Sequence, residues 1–292
     1  MKVALYSRQL NVRHAVFIQK LLLSLHRRGF ETLVHAPYYN QLREHLEVPD
    51  SLSIFKSHLD LNGRAECMFS LGGDGTLLDT LAFVRDYNIP ILGINIGRLG
   101  FLANIGKEEI ELALDALEKG SYTHDRRSLI EIESSKPLVG DVNFALNEFA
   151  IHKKDTSAMI TIHTYINGEF LNSYWADGLI VSTPTGSTGY NLSCGGPILT
   201  PQSSNFVITP IAPHNLNVRP MVVPDDSIIS FEIEGRGDNY LCTLDSRYET
   251  IDNSYHIAVR KCRFNIDLVR LPDHNFLSTL SKKLHWGSDS RN

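Results

Sequence analysis

The sequence predicts an α/β amino-terminal domain built on a parallel sheet, then an all-β domain, then a carboxy-terminal helix that returns to the first domain. Three observations carry this. Apolar strand-like runs alternate with helical patterns over the first 120 or so residues, the order that puts helices on both faces of parallel strands. Beyond that point segment after segment favours strand. At the end, residues 275–286 return to helical spacing through Phe276, Leu277, Leu280 and Leu284. The expected division is 1–121, 122–271 and 272–292.

In the first domain, 3–6 reads as a strand and 15–28 as a helix, with Val16, Lys20, Leu21 and 23–25 on and near its inner face and Gly29 as its stop. Residues 32–35 form the next strand, 41–46 a weak helix after Pro37, and 52–55 a short strand. Cys67, Met68, Phe69 and Leu71 suit a buried strand, and Leu77, Leu78, Leu81 and Val84 recur at helical spacing. Residues 89–94 make another buried strand before the GRLGFL segment at 97–102, and 108–119 is an amphipathic helix ending at Gly120. The strands of the second domain fall at 129–133, 143–152, 158–166, 173–182, 205–211, 228–234, 240–244, 255–259 and 264–269, with Asn167-Gly168 as a two-residue hairpin turn.

A length of 292 residues with 42% hydrophobic and 21% charged content describes a folded chain with a sizeable core. The net charge of −5 argues against a nucleic-acid or anionic-membrane partner, so an anionic ligand must be held by local features. Cys67, Cys194, Cys242 and Cys262 show no CxxC spacing, which indicates neither zinc nor a disulfide framework. The apolar run in MKVALYSR is too short for a signal peptide, and no 18 apolar residues run together. A cytoplasmic protein is expected.

The stretch FSLGGDGTLLDT, 69–80, joins the strand to the helix through Gly72, Gly73, Asp74 and Gly75. Strand, glycine loop and helix deliver phosphate to a helix N-terminus, where free N–H groups and the dipole favour an anion. A carboxylate repels phosphate, so Asp74 suits a base towards a hydroxyl, or a metal holder, better than anion binding. The competing reading is a tight Asp-Gly turn, disfavoured by the helical pattern that follows. The loop lacks the Lys-Ser/Thr pair of a Walker A motif and is no GxGxxG fingerprint.

In the second domain, DGLIVSTPTGSTGYNLSCGGPIL at 177–199 offers hydroxyls, glycines and the ring of Tyr190, a set that suits a nucleotide or, equally, a plain loop between strands. Asn147-Glu148 interrupts the apolar LNEFAI, where an unpartnered buried polar group costs roughly 1–3 kcal/mol. Amide and carboxylate side by side suit ribose hydroxyls or an adenine edge, or else mark a strand end at the surface. His152, His163 and His214 lack metal-ligand spacing, and Ser182 and Ser187 lack a GxSxG elbow.

Together GGDGT at 72–76, the Asn147-Glu148 pair, the 177–198 stretch and ITPIAPHNLNVRP at 208–220 resemble the NAD kinase family. GGDGT alone is shared with lipid kinases and phosphofructokinases; STPTGST with the Asn-Glu pair makes the resemblance specific. It implies a phosphofructokinase-like parallel sheet and transfer of the ATP γ-phosphoryl to the 2'-hydroxyl of the adenosine ribose of NAD, giving NADP. It also implies a divalent metal, Mg2+ by type, and a homo-oligomer, tetramer or dimer. By the same resemblance Asp74 is the general base, and Gly73 and Gly75 leave room for phosphates. Asn147 and Glu148 hold adenine and ribose, and Asp177 takes another polar edge of NAD. Thr188, Gly189, Tyr190, Asn191 and Ser193 shape the adenine pocket, with Ala212 near the nicotinamide. Three positions depart from the family: Gly189 where many members have alanine, Trp175, and Asp245-Ser246-Arg247 in place of an Asp-Gly-Gln run, where Arg247 is a candidate phosphate contact. The alternatives are a lipid or sugar kinase sharing GGDGT, and a dinucleotide sensor without turnover.

Overall fold

The computed structural model describes residues 1–97, 99–154, 158–235, 237 and 239–286. Arg98 of the GRLGFL segment and residues 287–292 of the expected third segment lie outside that set. The chain divides into two compact units, Met1–Arg126 with Ile266–Asn292, and Arg127–Asn265.

The first unit is α/β. Its strands are β1 (Lys2–Tyr6), β2 (Glu31–His35), β3 (Ser53–Phe55), β4 (Cys67–Leu71), β5 (Ile91–Asn95) and the short β6 (Ile105–Gly106). They pair in parallel in the order β3-β2-β1-β4-β5-β6. Strands buried this thoroughly read as continuous apolar runs, as CMFSL of β4 does. The helices are α1 (Ala15–Arg27), α2 (Ala36–His45), α3 (Asp74–Val84) and α4 (Ile110–Lys119). Helix α1 buries Ile18, Leu21, Leu22 and Leu25, the 3.6-residue stripe, whereas Val16 is 70% exposed and Leu23 36%. The inner face therefore lies about one residue's turn away from the one expected. Helix α2 starts before the expected 41–46, because Pro37 falls in its first turn, where a missing N–H costs nothing. Helix α4 stops at Gly120, whose φ of 64° closes its end.

The second unit is antiparallel. After β7 (Thr123–Ser134), which begins in the first unit, come β8 (Phe144–Ala145), β9 (Glu148–Lys153), β10 (Ile160–Ile166), β11 (Glu169–Ala176), β12 (Gly178–Ser182), the single-turn α5 (Tyr190–Ser193), β13 (Asn205–Ile211), β14 (Met221–Pro224), β15 (Ile229–Glu234), β16 (Tyr240–Leu244), β17 (Arg247–Ile251) and β18 (Ile257–Arg270). One sheet runs β14-β13-β12-β9-β16-β17, and β11-β10-β15-β18 build a second. Phe149 of the first meets Phe231 of the second with ring centroids 5.8 Å apart, inside a core that includes Ile162, Leu179 and Ile208. Asn167 and Gly168, with φ of 52° and 85°, turn the β10–β11 hairpin as expected.

The run 173–182 divides at Asp177 into strands of different sheets, because Gly178 passes so close to β9 that a Cβ there would lie 2.3 Å from the Ile151 carbonyl oxygen. The runs 255–259 and 264–269 are one strand, β18. Strands β14 and β17 went unread: both are sheet edges, half exposed, with weak apolar patterning. The chain re-enters the first unit in β18, where Leu268 pairs in parallel with Ile91. Helix α6 (Phe276–Leu284) follows in that unit, capped by Asn275, burying Leu280 and donating from Lys283 Nζ to the Leu99 carbonyl at 2.6 Å.

Candidate active site

Strand β4 hands the chain to α3 through Gly72 and Gly73. A Cβ on Gly72 would lie 2.3 Å from Thr76 Oγ1, so the turn closes only around glycine. Gly73 is exposed, with nothing within 4 Å of where its Cβ would be, and it caps α3. The helix N-terminus is thus open to a ligand at that residue. Asp74, the first helical residue, turns its carboxylate onto the segment after β5. Oδ2 accepts from the Phe101 N–H at 2.8 Å, and Oδ1 accepts from those of Leu102 and Ala103 at 3.0 and 2.9 Å. Two glycines permit the approach: a Cβ on Gly100 would lie 1.9 Å from Asp74 Oδ1, and one on Gly93 would lie 2.8 Å from Ala103 Cα. Asn95, at the end of β5, accepts from Gly97 N–H at 2.7 Å and holds the base of the same segment. The apolar side chains of Phe101 and Leu102 in the GRLGFL segment do not by themselves connect it to Asp74. The signal was Gly100 ahead of an apolar pair, which does not say what the freed backbone approaches.

In the second unit, Asn147 and Glu148 form the turn into β9. Its backbone is held by Asp245, which accepts from the N–H groups of Leu146, Asn147 and Glu148 at 2.9, 2.8 and 3.2 Å and returns its own N–H to the Glu148 carbonyl at 3.0 Å. Asp245, with φ of 51°, was read only as part of a departure from the family, yet it shapes the Asn-Glu turn. The Arg247 guanidinium donates to the carbonyls of Val142 and Phe144 and so clamps the strand leading into that turn.

Glu148 is the most perturbed acid here. Burial, and after it the charge of Asp245, push its pKa up to about 8, against the opposing pull of the Tyr190 N–H. Its Oε2 is enclosed and has no hydrogen-bond partner among the described residues. Burial also pushes the Asp245 carboxyl up, against the three N–H groups it accepts and the charge of Arg247.

The STPTGST segment wraps this turn. Thr183 Oγ1 donates to the Leu146 carbonyl at 2.5 Å, and a Cβ on Gly186 would lie 2.2 Å from the Asn147 carbonyl oxygen. Gly189 passes close to Glu148: a Cβ there would sit 3.3 Å from the unpartnered Oε2, a tight contact that the neighbours relieve only by a small shift. Tyr190 stacks on His152, centroids 5.6 Å apart, and burial pulls the His152 pKa down. Asn191 is buried with its amide spent on protein, donating to the carbonyls of Ser187 and Pro197 and accepting from Thr209 Oγ1 at 2.6 Å. Thr188 bonds back to Thr185, and Ser193 is exposed on α5.

Asp177 forms an ion pair with Lys153 at 2.6 Å, its charge adds to the burial that pushes the Tyr190 pKa up, and it donates its N–H to the Ile211 carbonyl. The next residue, Ala212, has a φ of 45°, a conformation that costs an alanine energy and collects at functional sites. Nearby, the rings of Trp175 and His214 lie 4.2 Å apart and line a cavity of about 480 Å³. Among the described residues no three His, Cys, Asp or Glu side chains converge as a metal cage, and none of their helices is long and apolar enough to cross a membrane.

An α/β unit with a carboxylate in an open glycine loop, joined to a β-sandwich carrying an enclosed Asn-Glu turn, defines the class: a two-unit phosphoryl-transfer scaffold. The chain matches the ATP-NAD kinase N-terminal domain over residues 20–122 and the ATP-NAD kinase C-terminal domain over residues 146–271. It is 51% identical to an NAD kinase of Cytophaga hutchinsonii, over 99% of each chain, and 45% identical to one of Flavobacterium psychrophilum, over all of each. Among solved structures it is similar to an Archaeoglobus fulgidus NAD kinase in complex with ATP, at a TM-score of 0.72 and 26% identity over 98% of this chain and 99% of that one. A yeast NADH kinase complexed with NADH shares the fold at a TM-score of 0.86, with 22% identity over 99% of this chain and 88% of that one. The chain belongs to the NAD kinase family.

Proposed function

We propose that the protein transfers the γ-phosphoryl of ATP to the 2'-hydroxyl of the adenosine ribose of NAD, forming NADP. The observation that carries this reading is the placement of Asp74: a carboxylate fixed by three N–H groups beside an exposed glycine at a helix N-terminus. A carboxylate has about four lone-pair sites, so three donors leave one to take a hydroxyl proton as the phosphoryl group arrives. The three bonds hold the base still, which is what positioning catalysis requires. Gly73 leaves its backbone open to phosphate oxygens, and at Gly75 a Cβ would come 3.5 Å from Arg8 Nη1.

Recognition of the dinucleotide falls to the second unit. The Glu148 carboxyl, held up near pH 8 and with one free oxygen, is protonated at neutral pH and can both donate to and accept from ribose hydroxyls. Asn147 supplies an amide edge, Tyr190 a stacking face, and Thr188, Gly189 and Ser193 border it; Asn191 acts by bracing the segment rather than by touching ligand. Asp177 and Ala212 are read as contacts to the remainder of NAD in a homo-oligomer. Arg247, committed to two carbonyls, supports the Asn-Glu turn instead of a phosphate.

A divalent ion would neutralise charge on the phosphoryl oxygens during transfer. The family resemblance implies an Mg2+-type ion carried by the triphosphate, and such ions keep waters and substrate oxygens more readily than they accept an all-protein cage. The test is NADP formation by the purified protein with ATP, metal and NAD, alongside Asp74→Asn. The wild type makes NADP, and the variant, folded but less stable by about 1–3 kcal/mol because its amide nitrogen faces a backbone N–H that the carboxylate accepted, loses about 10²- to 10⁴-fold in kcat, the usual contribution of a positioned base. Turnover of a lipid or sugar and none of NAD, or an Asp74→Asn variant as fast as wild type, refutes the reading.

A further inference from the structure

We propose that Arg8 grips the polyphosphate of the phosphoryl donor. The assignment rests on the glycine loop being the phosphate site. Tyr6, the last residue of β1, pairs with Ser70 of β4, so the chain leaving β1 emerges beside the Gly72–Gly75 turn. Ser7 fastens this exit by donating its hydroxyl to the Leu71 carbonyl at 2.8 Å. The next side chain, Arg8, lies along the loop.

One edge of its guanidinium is fully committed. Nε donates to Asp79 Oδ2, and Nη2 donates to Asp79 Oδ1 at 2.8 Å and to the Gly75 carbonyl at 2.9 Å. Asp79 is itself steadied by the Tyr6 hydroxyl at 3.2 Å. The other edge is free: Nη1 has no hydrogen-bond partner among the described residues and lies 3.5 Å from where a Cβ on Gly75 would be. Half of the side chain is exposed, so water and ligand reach it.

An ordinary surface Arg–Asp pair contributes little and needs no fixed orientation. Here the bond to the Gly75 carbonyl ties the guanidinium to the loop and leaves the two N–H groups of Nη1 unspent, charged donors of the kind that phosphate oxygens accept. Charge supports the same assignment. The chain carries a net −5, and the loop itself holds Asp74, so a triphosphate arriving there meets repulsion that a local cation must offset. Lys283, another cation next to this segment among the described residues, spends an N–H on the Leu99 carbonyl and lies over the Phe101 ring.

Initial rates of NADP formation by the intact protein, wild type, Arg8→Gln and Arg8→Lys, with ATP and NAD varied in turn, test the assignment. Loss of a charge-assisted contact to phosphate raises the KM for ATP about tenfold or more in Arg8→Gln. The KM for NAD stays within about twofold, because binding of the other substrate is not involved. Arg8→Lys, which keeps the charge and loses the fork, recovers part of the effect, and both variants unfold at the wild-type temperature. An unchanged KM for ATP in Arg8→Gln overturns the proposal. So does an equal rise for both substrates, or a loss shared by Gln and Lys with lowered stability, since those outcomes describe a brace and not a phosphate contact. A wild type that makes no NADP counts against the proposed function instead. In that case calorimetric titration of ATP into wild type and Arg8→Gln decides the matter, and equal affinities reject Arg8.

Discussion

Asp74 in the first unit and Asp245 in the second make the same local arrangement, each accepting three consecutive backbone N–H groups, from Phe101–Ala103 and from Leu146–Glu148. They differ in what lies beside them. Asp74 stands at the head of a helix next to an exposed glycine, where a substrate can reach the remaining lone pair. Asp245 is backed by a second carboxyl, Glu148, in a setting that raises the pKa of both. An amide-bound aspartate is therefore a way to fix a loop. Whether it also does chemistry depends on the opening next to it: the proposed function has Asp74 act as base, whereas Asp245 shapes the turn that displays Asn147 and Glu148.

The sharpest way to break the comparison is to put a methyl group between carboxylate and amides. Gly100→Ala sets a Cβ 1.9 Å from Asp74 Oδ1, so loop and carboxylate must separate. The expected result is a loss of about 1–3 kcal/mol in denaturant unfolding, from stranded polar groups, together with a fall in kcat approaching that of Asp74→Asn. An alanine variant with wild-type turnover would show that the three amides are dispensable.

A middle-sized effect lies in the titration of Glu148. Its folded pKa of about 8 exceeds the ordinary value of 4.5, so the folded state binds this proton more tightly than the unfolded chain does. The stability it contributes is complete below about pH 4.5 and is lost progressively as pH rises to about 8, above which the loss levels off. Glu148→Gln removes that slope, so the difference in unfolding temperature between wild type and variant changes steadily between pH 5 and pH 8 in the variant's favour. Asp245→Asn acts from the other side: with the neighbouring charge gone, the Glu148 titration moves to lower pH. If wild type and Glu148→Gln showed parallel stability profiles, the buried-pair account of this turn would fail.

The smallest expected change is at Gly189. A Cβ there would stand 3.2 Å from the Gly186 carbonyl oxygen and 3.3 Å from Glu148 Oε2, contacts relieved by shifts of a few tenths of an ångström. Gly189→Ala should therefore alter stability by less than about 1 kcal/mol while covering the free oxygen of Glu148, which is read as a rise in the KM for NAD with little change in kcat. A large destabilisation would mean that the segment around 189 has less slack than its neighbours suggest.

Much of this site is legible in the sequence. GGDGT followed by a helical pattern marked Asp74, because glycines ahead of an amphipathic run leave few other local structures. The Asn-Glu pair marked itself by breaking an apolar strand, and Asn167-Gly168 announced its hairpin through residues that tolerate positive φ. Asp245, the Phe101–Ala103 amides and the free edge of Arg8 were not legible. Each depends on a partner many positions away along the chain, 97 to 99 residues for Asp245 and 71 for Arg8 with Asp79, and the identity of neither partner constrains the other through local propensity. The contacts of Arg247 with the Val142 and Phe144 carbonyls have the same origin, since an arginine's length lets it reach many acceptors and packing chooses among them.

By itself the sequence determined the two classes of sheet, the glycine loop with its carboxylate and the polar pair in the second unit, because hydrophobic periodicity and backbone permissiveness are properties of neighbouring residues. Tertiary structure alone decided which groups those carboxylates accept, that Arg8 lies along the loop, and that burial beside Asp245 pushes the Glu148 pKa up. Those outcomes follow from distance and desolvation between segments far apart in the chain, and neither quantity is written in the local order of residues.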